Sequence, residues 1–305
     1  MIEVRALTKR YGRTLAVNDL SFQVRPGCVT GFLGPNGAGK STTIRVLMGL
    51  DAPSSGEALV AGRRYAELRR PLHEVGALLD ANAVHGGRSA FDHLLSLALT
   101  NGIGRRRVAE TLEQVGLAGV ARKRVGGYSL GMRQRLGIAA ALLGDPGILL
   151  FDEPVNGLDP EGVRWIRELL RGLAAAGRTV LVSSHLMSEV ERTADRLVII
   201  GRGRLIEDAT VRDLADRFRT GVLVRSPRAA ELANALESSG ASVAAEPDGG
   251  LSVTGLEVAG IADVAARHAI PLHEVTARRA SLEDIYLLLT ASSVEHRSRD
   301  PRPAR

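Results

Sequence analysis

The apolar run Cys28-Val29-Thr30-Gly31-Phe32-Leu33 leads without a spacer into Gly34-Pro35-Asn36-Gly37-Ala38-Gly39-Lys40-Ser41-Thr42, and Ser41 to Met48 continues as a helix-forming stretch. Strand, glycine loop and helix in that order leave few architectures open. The strand is expected inside a largely parallel sheet, and the loop is expected to turn successive backbone N–H groups inward at the positive end of the helix. A G-x-x-x-x-G-K-[ST] loop cradles the phosphates of a nucleoside triphosphate. Lys40 is expected to reach the β- and γ-phosphates, Ser41 to offer a hydroxyl to Mg2+, and Thr42 to add a hydrogen bond to phosphate oxygen.

A second apolar strand, Ile148-Leu149-Leu150-Phe151, ends in Asp152-Glu153-Pro154. Asp152 fits a ligand on the Mg2+ side acting through water, and Glu153 fits the group that orients or deprotonates an attacking water. Phosphoryl transfer needs both at the carboxyl ends of neighbouring parallel strands, so the pairing with the phosphate loop gives the acidic pair its meaning.

Between these elements stands Tyr128-Ser129-Leu130-Gly131-Met132-Arg133-Gln134-Arg135, followed by a small-residue helix from Leu136 to Leu143. This stretch resembles the signature loop of the ATP-binding cassette (ABC) family, usually L-S-G-G-Q, with Ser129 and Gly131 kept and Leu130 and Met132 departing from it. Asn156-Gly157-Leu158-Asp159 is similar to the family's D-loop, His185 to its switch histidine and Tyr11 to its adenine-stacking aromatic. Asp80 stands where the family usually has the glutamine of its Q-loop. The resemblance covers roughly residues 2 to 215.

It implies a chain that binds ATP with Mg2+ and hydrolyses it in a head-to-tail homodimer. One chain would contribute Lys40, Ser41, Asp80, Asp152, Glu153 and His185 to each nucleotide, and the other chain Ser129 and Gly131. Asp159 would link the two sites. The variant signature resembles the bacterial subgroup that energises two-component drug and antibiotic exporters. A separate polytopic membrane permease is the implied partner, with the chain peripheral on the cytoplasmic side of the membrane.

No stretch approaches eighteen uninterrupted apolar residues, so no transmembrane segment is expected. The single cysteine, Cys28, excludes an intramolecular disulfide framework and reads as filler in the apolar strand. Forty basic residues against thirty-four acidic give +6, yet the bases fall in short sets such as Arg105-Arg106-Arg107 and Arg122-Lys123-Arg124. With aromatic residues at 3%, stacking platforms for nucleic acid are poorly supplied, and the basic sets read as solvated helix faces. The rival reading is a soluble ABC ATPase acting on ribosomes or nucleic acid. A single phosphate loop and no heptad arm count against its common forms.

The rest of the chain frames these motifs. Strands are expected near Ile2 to Leu7, Leu20 to Val24, Glu57 to Gly62 and Val75 to Leu79, with a helical subdomain at about 82–135 that opens on a Ser89/Asp92 capping box. Alternating strands and helices from 148 to 200 argue for an α/β fold with helices on both faces of the sheet. An ABC-type domain over 1–219 is therefore expected, followed by an accessory α+β domain over 220–291 and a disordered basic tail over 292–305. In the accessory domain a strand at Val222 to Arg225, a helix capped by Ser226, a hairpin, a helix near Val258 to His268 and a strand at Leu272 to Thr276 give a ferredoxin-like β-α-β-β-α-β order. A last helix opens at Ser281 with Asp284.

Overall fold

The computed structural model describes residues 1–184, 187–279 and 281–290 of the 305. The chain divides into two compact units, Met1–Val211 with Tyr286–Arg305, and Arg212–Ile285.

The first unit begins with a long hairpin, β1 (Ile2–Tyr11) and β2 (Thr14–Val24). Sequence alternation marks only its inner parts, because register shifts between Val4 and Leu7 and between Leu7 and Lys9, with positive φ at Ala6 and Asp19, interrupt the two-residue period. Next comes β3 (Val29–Leu33), whose residues are all buried, as a strand covered on both faces must be. Cys28 lies just outside β3, half-buried in the preceding turn with its Sγ 3.4 Å from the Arg25 carbonyl, so it is not filler within the strand. The phosphate-loop helix α1 (Lys40–Leu47) and β4 (Ser55–Val60) follow, β4 pairing antiparallel with β1. A one-turn helix α2 (Pro71–Glu74) runs into β5 (Val75–Leu78).

The helical subdomain consists of α3 (Ala90–Thr100), α4 (Arg105–Gln114) and α5 (Leu130–Leu142). Ser89 caps α3 as its sequence indicates, accepting from the Asp92 N–H at 3.0 Å and meeting the Asp92 carboxylate at 2.6 Å. The basic sets are only partly solvated faces. Arg107 is half-buried and donates to the last carbonyls of α5, Leu142 at 2.9 Å and Leu143 at 3.2 Å, while Arg122 stacks 4.1 Å from the Phe91 ring centroid.

The remaining elements alternate as β6 (Ile148–Asp152), α6 (Pro160–Ala175), β7 (Thr179–Ser183), α7 (Met187–Thr193) and β8 (Arg196–Gly201), then turn back as β9 (Arg204–Thr210). The order across the sheet is β5-β6-β7-β3-β8-β9, parallel except for β9, which pairs antiparallel with β8. Sequence reasoning missed β9. Its cue is the two-residue turn Arg202-Gly203, where both residues take positive φ as a tight hairpin requires. The β2-β1-β4 sheet shares one core with the large sheet, with the Phe22 and Phe32 ring centroids 5.2 Å apart. Helix α5 lies on β5 so closely that a Cβ at Gly76 would fall 1.9 Å from the Ala141 carbonyl oxygen.

In the second unit α8 (Val211–Arg217) leads into β10 (Arg219–Arg225), α9 (Ala229–Ser238), β11 (Ser242–Ala245), β12 (Leu251–Thr254), α10 (Val258–Arg267) and β13 (Glu274–Arg279). The antiparallel sheet order β11-β12-β10-β13 is that of the ferredoxin-like unit. Two local expectations are corrected. Ser226 does not cap α9: its hydroxyl accepts the Arg228 N–H at 3.1 Å and donates to the Pro271 carbonyl at 2.8 Å, so the helix starts three residues later. Strand β13 is shifted to Glu274–Arg279, because its register is set by β10, pairing Arg225 with Glu274 and Gly221 with Arg278. Helix α11 (Leu282–Thr290) opens on Ser281, which accepts the Asp284 N–H at 3.1 Å. The expected tail over 292–305 lies outside the described residues.

Candidate active site

Three neighbouring parallel strands, β6, β7 and β3, end at one level, with Asp152 paired to Ser183 and Ser183 to Phe32. At that edge β3 passes into the phosphate loop. Gly39 takes φ 103°, and a Cβ there would lie 2.6 Å from the Ala16 carbonyl of β2, so only glycine lets the loop close against the hairpin. The loop bends around the Lys40 side chain, which is only 8% exposed and donates to the carbonyls of Gly34 at 2.6 Å and Pro35 at 3.4 Å. Burial pushes the Lys40 ammonium below its usual pKa, and the charges of Glu153 and Asp152 work in the opposite sense. The structure thus brings Lys40, Asp152 and Glu153 into one electrostatic neighbourhood. Ser41 is exposed on the first turn of α1, and its hydroxyl makes no protein hydrogen bond among the described residues. Thr42 beside it is half-buried.

Two residues that sequence reasoning did not single out shape this edge. Ser183, fully buried at the end of β7, donates its hydroxyl to the Asp152 carboxylate and accepts the Glu153 N–H at 3.0 Å. Gln134, 4% exposed on α5, donates Nε2 to the Glu153 carbonyl at 3.3 Å. Glu153 itself has φ 52°, a left-handed conformation for a non-glycine residue immediately before a proline, of the kind that costs roughly 1–3 kcal/mol and persists where surrounding contacts dictate it. Gln134 stands between Arg133 and Arg135, so its neighbours in the sequence give no cue to its burial. A serine ending an apolar strand, as Ser183 does, gives none either.

The other expected residues have contacts of their own. Asp80 is exposed after β5 and its carboxylate accepts the Asn82 N–H at 2.8 Å. Ser129 caps α5 through the Met132 N–H at 3.2 Å, and Asp159 caps α6 through the Gly162 N–H at 2.8 Å. Gly131 lies against the D-loop, where an added Cβ would meet the Gly157 carbonyl at 3.3 Å. No hydrogen bond among the described residues joins Asp80, Ser129, Gly131 or Asp159 to the phosphate loop, and His185 lies outside the described residues. Tyr11 is the last residue of β1. Its hydroxyl donates to Asp51 at 2.7 Å, Arg45 donates to the same carboxylate oxygen at 2.7 Å, and the Lys9 ammonium sits 4.7 Å from the ring centroid. The bonds from Arg45 and then Tyr11 hold the Asp51 carboxyl below its usual pKa.

The acidic and hydroxyl oxygens at this edge are hard donors that suit Mg2+. No group of three or more His, Cys, Asp or Glu side chains is placed to hold a metal among the described residues, so a cation here would draw most of its ligands from phosphate and water.

Comparison with known proteins gives matches over both units. The profile of a family described as ABC transporter matches residues 17–156, and that of a domain of unknown function matches residues 220–283. The uncharacterized ABC transporter ATP-binding protein YhcH of Bacillus subtilis (strain 168) is 37% identical over 302 residues, 97% of each chain. The bacitracin transport ATP-binding protein BcrA of Bacillus licheniformis is 41% identical over 222 residues, 72% of each chain. A solved structure of an ATP-binding subunit of an ABC transporter superposes with TM-score 0.65 at 28% identity, covering 72% of this chain and 93% of that one.

Proposed function

We propose that this chain, which belongs to the family of ABC transporter ATP-binding proteins, hydrolyses ATP as a head-to-tail homodimer and so energises a separate polytopic membrane permease. The observation that carries the reading is the convergence of the phosphate loop, Asp152 and Glu153 at the carboxyl ends of β3 and β6, with Ser183 of β7 fixing the acidic pair. Lys40, released from its own loop carbonyls, donates to the β- and γ-phosphates, and the loop N–H groups and the N-terminus of α1 receive the rest of the anion. Glu153 accepts a proton from, or orients, the water that attacks the γ-phosphorus, and His185 contacts the γ-phosphate. Ser41, Asp152 and Asp80 are the oxygen donors that would hold Mg2+, which supplies charge neutralisation at the phosphates. Tyr11 stacks on adenine, its ring angle set by the bond to Asp51.

From the partner copy, Ser129 and Gly131 meet the γ-phosphate at the N-terminus of α5, and Asp159 links the two sites. ATP then joins the two copies until hydrolysis removes the shared phosphate. The chain is read as a peripheral subunit on the cytoplasmic side, with the permeation path built by the permease; no helix among the described residues is long and apolar enough to cross a membrane. The cargo is read as a drug, antibiotic or other hydrophobic small molecule moved outward, and the similarity to a protein named for bacitracin transport supports the antibiotic class.

Co-purification tests the partner. A tagged Glu153→Gln chain held with ATP should bring down a polytopic membrane protein in stoichiometric amount. Salt-resistant, ATP-dependent recovery with ribosomes or nucleic acid instead would contradict the transporter reading.

A further inference from the structure

Glu153 stands in a left-handed turn before Pro154, and its backbone is fixed from two sides. Its N–H donates to Ser183, to the hydroxyl at 3.0 Å and the carbonyl at 3.3 Å. Its carbonyl accepts from the Asn156 N–H of the same turn at 3.2 Å and from Gln134 Nε2 at 3.3 Å. The Gln134 contact reaches the carbonyl from another element, α5, the helix that Ser129 caps.

The same helix bears on the same loop at further points. Leu130 lies over Gly157, where a Cβ would fall 2.2 Å from Leu130 Cδ2, and a Cβ at Gly131 would meet the Gly157 carbonyl at 3.3 Å and Leu158 Cδ2 at 3.5 Å. Helix α5 and the 153–159 loop are therefore clasped together within one chain, and a rotation of α5 is felt at the Glu153 carbonyl.

We propose that Gln134 is a positioning residue for Glu153: its amide holds the Glu153 carbonyl so that the left-handed turn presents the carboxylate to the nucleotide site. A non-glycine residue keeps such a conformation only while its surroundings over-determine it, and removing the amide takes away the hydrogen bond that α5 supplies to the turn. Resting on the dimer reading above, the clasp also joins the two nucleotide sites, because Ser129 and Gly131 of α5 act on the partner's ATP while Glu153 acts on its own.

The test uses the full chain and two substitutions of similar volume, Gln134→Met, which has no donor, and Gln134→Glu, which as a carboxylate can only accept. Both are expected to lower kcat for ATP hydrolysis about tenfold or more while KM for ATP stays within about twofold, the pattern of a misplaced catalytic group. Amide hydrogen exchange of the 152–159 peptide, measured without nucleotide, is expected to be faster in both. Wild-type exchange in either folded variant, or a raised KM with unchanged kcat, overturns the proposal. If Gln134→Met does not fold, Gln134→Glu decides. A wild-type chain without ATP hydrolysis contradicts the proposed function instead, and the exchange comparison still decides the positioning.

Discussion

Replacing Ser183 with alanine removes two bonds that no other side chain can restore. The hydroxyl donates to the Asp152 carboxylate and accepts the Glu153 N–H at 3.0 Å, in a position with no solvent exposure. A hydrogen bond to a charged group contributes about 1.5–3 kcal/mol and a neutral one about 1 kcal/mol. Asp152 is half-exposed, so water takes up part of the first loss, and the Glu153 N–H keeps its 3.3 Å contact with the Ser183 carbonyl. A net loss of about 2 kcal/mol follows. For a unit of this size each kcal/mol moves the thermal midpoint by about 2–4 °C, so Ser183→Ala should melt about 4–8 °C below wild type in the absence of nucleotide. Because the two bonds also aim Asp152 and Glu153, ATP hydrolysis at saturating ATP should fall about tenfold, equivalent to about 1.4 kcal/mol of activation free energy. Differential scanning fluorimetry and a phosphate-release assay read the two effects. A midpoint within about 1 °C of wild type together with a rate within about twofold would refute the reasoning, since it would mean that Ser183 holds neither carboxylate-bearing residue.

Gly76→Ala should destabilise the first unit by roughly 3 kcal/mol or more, because its Cβ would land 1.9 Å from the Ala141 backbone oxygen and force α5 off β5, whereas Gly147→Ala, with nothing within 4 Å, should stay within about 0.5 kcal/mol; urea unfolding of the two variants checks the contrast. Burial raises the Tyr286 phenol to about 12, above its unfolded value, so the folded state holds this proton more tightly. The stability it contributes is complete below pH 10 and is lost as pH rises from 10 towards 12; Tyr286→Phe should flatten that alkaline decline in a thermal-midpoint series.

Legibility in the sequence followed the range of the interaction. The Ser89 cap, the phosphate loop and the apolar strands ending at Leu33 and Asp152 are written in contiguous residues, and each stands where those residues indicate. Strand β9 was missed because Arg202 does not advertise the positive φ it adopts, and the extent of β1 was masked by bulges at Ala6 and Asp19. At Ser226, the nearby Pro227 suggests a helix start, but the Pro271 carbonyl, distant in sequence, claims the hydroxyl. Ser183 and Gln134 take their roles wholly from chain segments folded against them, so no local pattern could reveal either.

The central claim is that ATP joins two copies of this chain and that Glu153 ends the union by enabling hydrolysis. Light scattering of the Glu153→Gln chain during size-exclusion chromatography tests it most directly. The account predicts a monomer without nucleotide, a stable dimer with ATP and a monomer with ADP, with hydrolysis reduced by about two orders of magnitude or more relative to wild type. A Glu153→Gln chain that stays monomeric at saturating ATP, or hydrolyses it at the wild-type rate, would contradict the account.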